Sequence, residues 1–382
     1  MIYLDNAATT RAYPEVIDVM NEINKDFYAN PSSMHLSGFA AEKKMTEAKE
    51  TLLSLIGAKS GEIIFTSGGT ESNNQILLGT IFSQIKRKPH IITSAIEHPS
   101  VLEPAKALCD LGCEVTYVSP DENGVISAES IVKEIRDNTR LISVMAVNNE
   151  TGAINPIADI AKKVKEKRAD IIVHSDCVQA MGNIKISVDK WGVDAISLSA
   201  HKICGPKGVG ALYIRDKVRV LPLILGGHQQ KNLRSGTQNL PGIAGFVRAA
   251  QITDENFSKK CAHLFTLKET IIKRLKDDGS FLINNEGSMY SSHIVSIRVK
   301  NVRAEVLLHA LEAHKICISA GSACSTNKPA PSHVLAAQGF DRKHIEETIR
   351  VSLGVYNTMD EICEFCDILI KEAKTLSRFT RA

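Results

Sequence analysis

Between residues 60 and 215 the sequence keeps switching hydrophobic period, and that alternation narrows the fold more than any other property. Short runs of strand character recur at Glu62 to Phe65, Ile91 to Thr93, Glu114 to Val118, Leu141 to Met145, Ile171 to His174, Ala195 to Leu198 and Gly210 to Ile214. Stretches of helical spacing separate several of them, such as Pro156 to Lys167 with apolar Ile157, Ile160, Ala161 and Val164. Strand and helix alternating in this way predict an α/β fold with a mainly parallel seven-stranded sheet covered by helices. Sheets of this kind bind ligands beyond the carboxyl ends of their strands, so chemistry is expected in the turns there.

Past residue 240 the pattern changes. Pro241-Gly242 opens a helical stretch to about Asp278, with Phe246, Leu264, Leu267, Ile271 and Leu275 at apolar positions. A strand at Ile294 to Val299, a helix from Arg303 to His314, strands near Ile316 to Ile318 and at Ile349 to Leu353, and a terminal helix follow. This series predicts a small α+β unit. Pro14 stands where the first helix begins, and the short piece before it is expected to pack with the C-terminal unit. A chain of 382 residues is also long for one core. The expected division is a large domain over 13–255 and a small α+β domain built from 1–12 and 256–382.

Composition excludes several function classes. A formal net charge of +3 leaves no electrostatic footprint for direct nucleic-acid binding, and the most basic run, Ile85-Lys86-Arg87-Lys88, reads as a solvated connection before a strand. No apolar stretch reaches membrane-spanning length, and the start Met1-Ile2-Tyr3-Leu4-Asp5 lacks the pattern of a secretory signal. Nine cysteines scattered along such a chain point to reduced thiols rather than a disulfide framework. A cytoplasmic protein is expected. Cys363 and Cys366 form a CxxC, but within helical periodicity and without a second pair, so core packing is expected there and no metal site.

The densest chemical signal is Ser199-Ala200-His201-Lys202-Ile203-Cys204-Gly205-Pro206. A lysine at the end of a buried strand, before a Gly-Pro turn, can be held rigid and partly desolvated, which favours the neutral amine that Schiff-base chemistry needs. Alone, such a lysine is more often an exposed turn residue; its neighbours change the weighing. Asp176 ends the strand that begins at Ile171, where a carboxylate can keep a pyridine nitrogen protonated. The turn Ser67-Gly68-Gly69-Thr70-Glu71-Ser72 follows a strand and opens a helix, as a phosphate cradle does. Lysine, aspartate and phosphate loop together fit pyridoxal phosphate.

Several motifs then carry a family resemblance: Leu4-Asp5-Asn6-Ala7-Ala8-Thr9-Thr10, Asn30-Pro31-Ser32-Ser33, Thr66 to Asn73, Glu97-His98, Asn148-Asn149-Glu150, Ser199 to Gly205, Arg234-Ser235-Gly236-Thr237 and Gly321-Ser322-Ala323-Cys324. In this order they resemble the NifS/IscS-type cysteine desulfurases, class V aminotransferase-like enzymes of pyridoxal-phosphate fold type I. The resemblance implies a homodimer that takes sulfur from L-cysteine and passes it to an acceptor protein, either an iron–sulfur scaffold or a tRNA-thiolation enzyme. It implies that Lys202 binds the cofactor covalently, that His98 stacks on the ring and moves protons, that Asp176 pairs with the ring nitrogen and that Gln179 bonds the ring oxygen. Gly69, Thr70, Ser199 and His201 would hold the phosphate together with Thr237 of a second subunit. Arg350, Asn149 and Asn6 would bind the substrate, and Asn149 would also touch the cofactor.

Cys324 has a case of its own. It lies in Ser319 to Ser332, a stretch of small, polar and proline residues without periodicity, which predicts a mobile surface loop. A cysteine in such a loop can collect sulfur and hand it on, and it is also a candidate ligand for a transient iron–sulfur cluster. The sequence departs from the family pattern in three places. Gly69 stands where alanine or threonine is usual, Cys177 and Cys204 flank the key aspartate and lysine, and the longer C-terminal tail of the housekeeping members does not follow the last helix. The two rival readings are a selenocysteine lyase or other pyridoxal-phosphate lyase or aminotransferase, which would not need Cys324, and a non-catalytic sulfur-carrier or scaffold protein.

Overall fold

The computed structural model describes residues 1–320 and 331–378. Its central sheet has seven strands in the spatial order Glu62–Thr66, Gly210–Ile214, Ala195–Ser199, Ile172–Asp176, Thr139–Ser143, His90–Ser94 and Glu114–Val118. Gly210–Ile214 is antiparallel to both neighbours, and the remaining pairs are parallel. The mainly parallel sheet read from the alternation is the one that forms. Consecutive residues of a strand feed opposite faces, as a period of two demands. Ile63, Phe65, Ile92, Ile142 and Ile196 pack on one side with Leu52 and Phe246. Ile64, Ile91, Leu141 and Ala195 pack on the other with Ile76, Leu77, Val101 and Leu108.

A second core gathers around a four-stranded antiparallel sheet, Ser319–Ala320, Thr348–Ser352, Ile294–Val299 and Phe281–Ile283. Val295, Ile297, Ile349 and Val351 meet Leu264, Leu267, Ile271, Leu275, Phe365 and Leu369 there. The N-terminal piece joins this core: Ile2 and Leu4 are buried in it, and Ile2–Tyr3 pairs in parallel with Ile316–Cys317. The strand expected near Ile316 to Ile318 is therefore two short strands serving different partners. Val334, on the helix His333–Ala337, packs back into the first core.

The long helical stretch expected after Pro241 breaks at Asn256 into Leu240–Glu255 and Phe257–Lys276. Asn256 ends the first helix with its amide donating to the Ile252 carbonyl at 2.9 Å. The break redirects the apolar face, since Phe246 and Ala250 belong to the first core and Leu264 to Leu275 to the second. Among the described residues no helix is long and apolar enough to cross a membrane, and the cysteines there are free thiols. Cys366 is buried in the second core on the helix Met359–Leu376, as its helical period required.

One buried carboxyl group shapes the carboxyl edge of the large sheet. Glu97, just past the strand His90–Ser94, is fully buried; its Oε1 accepts from the Ser94 hydroxyl and from the Met145 N–H at 2.9 Å. Burial pushes its carboxyl up to about 8, with the Asp176 charge adding to the effect against those two hydrogen bonds. The folded protein thus keeps Glu97 protonated where the unfolded chain ionises it. Its contribution to stability is greatest below the unfolded pKa and is lost as pH rises toward about 8. Glu97→Gln, which mimics the protonated acid, should leave the melting temperature near pH 5 unchanged and raise it by about 2 °C or more at pH 8.5. Thermal melts across that range check this, and an equal effect at both pH values would contradict it.

Candidate active site

A cavity of about 550 Å³ opens where the carboxyl ends of the large sheet face the N-terminal segment and the second core. Its floor is Asp176, the last residue of Ile172–Asp176 and 5 % exposed. Each carboxylate oxygen accepts one hydrogen bond, Oδ1 from the Val178 N–H at 2.9 Å and Oδ2 from the Asn73 amide at 2.7 Å. The other Asn73 amide hydrogen goes to the Ser100 hydroxyl at 2.8 Å, which sits 2.8 Å from His98 Nδ1. That nitrogen also accepts the Ser100 N–H at 3.1 Å, because His98 caps the helix Pro99–Asp110. An Nδ1 that accepts from the backbone carries no proton, so the hydrogen of the neutral ring is on Nε2. Burial pulls the His98 pKa down, as do the Lys202 and His333 charges, against the pull of Asp176.

Lys202 ends the short turn Ala200–Lys202 that follows the strand Ala195–Ser199. Its Nζ donates to two carbonyls of the N-terminal segment, Ala7 at 2.6 Å and Ala8 at 2.8 Å. The turn is stitched to the same segment, with the His201 carbonyl accepting from the Thr10 hydroxyl at 2.7 Å. A Cβ at Gly205 would lie 2.7 Å from the Ala200 carbonyl oxygen, so glycine is required after the lysine for the chain to turn. Burial, then the Lys202 and Lys207 charges, lower the His201 pKa to about 4, which makes it a neutral partner.

Across from Lys202 the helix Gly69–Phe82 starts with its first N–H groups, those of Gly69 and Thr70, in the turn where a helix supplies no carbonyl partner. Gly69 has a steric reason: a Cβ there would stand 2.6 Å from Val178 and 3.7 Å from the Ser199 Cβ. The departure at this position matches a close approach of the two loops. Arg350, 5 % exposed on the strand Thr348–Ser352, reaches the cavity from the second core. Its Nη1 donates to the Asn149 carbonyl and its Nη2 to Asp5 Oδ1, both at 2.9 Å. Its buried Nε has no hydrogen-bond partner among the described residues.

The structure thus brings Gly69, Thr70, His98, Asn149, Asp176, Gln179, Ser199, His201, Lys202 and Arg350 to one cavity. Three other expected residues stand apart. Asn6 spends its amide on the Ser352 carbonyl at 3.0 Å and on Tyr3 and Asn357, and it lines a smaller neighbouring cavity with Gln179 and Lys202. Thr237 is exposed and is not part of the wall of the larger cavity. Cys324 lies outside the described residues. Cys177 is packed in the first core, and burial raises its thiol pKa and that of Cys204, so both are poor nucleophiles. Sequence reasoning missed the roles of Asn73 and Ser100, whose bridging exists only in three dimensions, and those of Glu150 and His333, which line the cavity.

Comparison with known proteins gives the arrangement its relatives. Residues 2–365 match the family described as aminotransferase class-V. The cysteine desulfurase IscS of Dictyoglomus turgidum is 40% identical over 382 residues, covering 99% of this chain and 96% of that protein. A solved structure described as a NifS-like protein superimposes with a TM-score of 0.92 at 39% identity, covering 98% of this chain and 100% of that one. A structure of SspA in complex with cysteine matches with a TM-score of 0.83 at 36% identity, over 94% of this chain and 100% of that one. Likeness over the whole length, in a chain whose cavity gathers the family's motifs, leaves one assignment: the chain belongs to the class-V aminotransferase family, among the cysteine desulfurases of the NifS/IscS type.

Proposed function

We propose that this chain is a pyridoxal-phosphate-dependent cysteine desulfurase that converts L-cysteine to L-alanine and holds the sulfur as a persulfide on Cys324. The observation that carries the reading is the convergence of Lys202, Asp176 and Arg350 on one cavity. The residues fit the cofactor by chemistry at each end. The first turn of Gly69–Phe82, with Ser199 and His201, would hold the phosphate, Asp176 on the floor would pair with a basic ring nitrogen, and Lys202 would supply the amine. When bound, pyridoxal phosphate supplies an electron sink for the bonds at the substrate's α-carbon.

The chain's own groups then divide the work. Arg350 binds the substrate carboxylate, and the Asn149 carbonyl and Asp5 hold the guanidinium in place. Lys202 Nζ takes the α-proton, moving off the Ala7 and Ala8 carbonyls to do so. His98 presents Nε2–H to the cavity, so in its neutral form it donates a hydrogen bond there. The Cys324 thiolate forms a bond to the substrate sulfur as the carbon–sulfur bond breaks; the electron pair stays with the substrate carbon, which is then protonated to alanine. A second thiol collects the sulfur for iron–sulfur clusters or tRNA thiolation. The active unit is a homodimer in the cytoplasm, with exposed Thr237 completing the phosphate site of the partner subunit.

Three outcomes test this reading. The purified protein should be yellow, and borohydride reduction followed by peptide mapping should find the cofactor on Lys202; a label on another lysine contradicts the site. Arg350→Leu should lower kcat/KM for cysteine about 100-fold, chiefly through KM, while the cofactor stays bound. Cys324→Ser should keep cofactor binding and the early absorption changes on adding cysteine but release no alanine. A serine variant that still turns over at the wild-type rate, with persulfide trapped on Cys177 or Cys204, overturns the role given to Cys324.

A further inference from the structure

Behind the wall that carries Lys202 and Gln179 lies a histidine that the chemistry above does not use. His293 is 4 % exposed and immediately precedes the strand Ile294–Val299 of the second core. Its carbonyl accepts from the Leu353 N–H at 2.8 Å, which ties it to that core. Its Nε2 is 3.1 Å from Gln179 Oε1, and its Nδ1 is 2.6 Å from the Ser291 hydroxyl.

Carbonyl chemistry fixes every proton in this chain of groups. The Ala7 oxygen can only accept, so the Gln179 atom 2.9 Å from it is the amide nitrogen, and the atom facing His293 is the amide oxygen. That oxygen can only accept in turn, so His293 Nε2 carries the hydrogen and Nδ1 accepts from Ser291. A proton on Nδ1 as well would have to be accepted by the Ser291 hydroxyl. Burial, reinforced by the charges of Lys260, Lys268, Arg350 and Lys202, holds the His293 pKa well below the usual value. One hydrogen of the Gln179 amide is spent on Ala7, and the other is left for the cavity that Gln179 lines.

Resting on the reading of that cavity as a pyridoxal-phosphate site, we infer that His293 is a positioning residue for the cofactor: its Nε2–H locks the Gln179 amide so that the remaining amide hydrogen is aimed at the ring oxygen. Without that donor the Gln179 oxygen is buried and unpartnered, and the amide turns to satisfy it. The hydrogen bond to the ring oxygen is then lost. A residue that merely fills space would be replaceable by any apolar side chain of similar volume; this one supplies a direction.

The test uses the full-length holoprotein and reads the pH midpoint of the bound cofactor's absorption change, with the cofactor's dissociation constant as a second measurement. A donor at the ring oxygen stabilises its anionic form and makes the neighbouring cofactor–lysine nitrogen less basic. His293→Leu should therefore raise the midpoint by about one pH unit and weaken cofactor binding about 10-fold. His293→Gln, which keeps an N–H at similar reach, should restore both. Gln179→Leu should shift the midpoint as His293→Leu does, and the double variant no further than Gln179→Leu alone. If the leucine variant does not fold, His293→Met, which lacks a donor at similar volume, takes its place. A wild-type midpoint in a folded leucine or methionine variant overturns the inference, as do additive shifts in the double variant. A wild-type protein that binds no pyridoxal phosphate overturns the underlying reading, and this one with it.

Discussion

Residues 2–10 form the tie on which the rest of the molecule depends, because within a few residues they satisfy groups from both cores. Ile2 and Leu4 are buried with the second core, and Asp5 pairs with Arg350. Two residues later the Ala7 carbonyl takes hydrogen bonds from both Lys202 and Gln179, and Thr10 is bound to the turn that presents Lys202. A backbone carbonyl has two lone pairs, and at Ala7 both are used by residues of the candidate site. The lysine and the glutamine are therefore referenced to the same atom.

The polar groups around the cavity are sorted by hydrogen-bond sense as well as by charge. His98 accepts on its helix side and can only donate on its cavity side, because the cap it forms consumes Nδ1. Asn73 donates twice, to the floor carboxylate and to the hydroxyl that orients His98, so floor and lid of the pocket are held at one spacing by one amide. A buried network in which each proton has one possible place resists rearrangement, which is what a catalytic site needs from its surroundings.

Much of this was legible in the sequence, for identifiable reasons. The sheet could be read because Ile63, Ile64 and Phe65, and their counterparts in other strands, serve both faces and so write uninterrupted apolar runs bounded by turns. Lys202, Asp176 and the Gly69–Thr70 turn were visible because their residue types stand where strands end. Asn256 hid its helix break, because an asparagine within an amphipathic stretch looks tolerable until the two halves face different cores. The strand Phe281–Ile283 and the short helices His333–Ala337 and Arg342–Glu346 are too brief for periodicity to register. Nothing in the sequence joins Asn73 to Ser100, or His293 to Gln179, because those pairings are made by the packing of elements far apart in the chain.

That separation has a consequence for how the protein comes into being. Asp5 and Arg350 are 345 residues apart, and Leu4 lies against a strand completed only near the end of the chain. The N-terminal segment thus waits for a strand about 345 residues later in the chain before it finds its register. The large sheet can form and bury its faces meanwhile, since its strands fall between Glu62 and Ile214. Contacts of such long range are slow to form and come late. The cavity is therefore completed late, and a chain truncated before Arg350 can be well folded over most of its length while lacking one charged wall of that cavity.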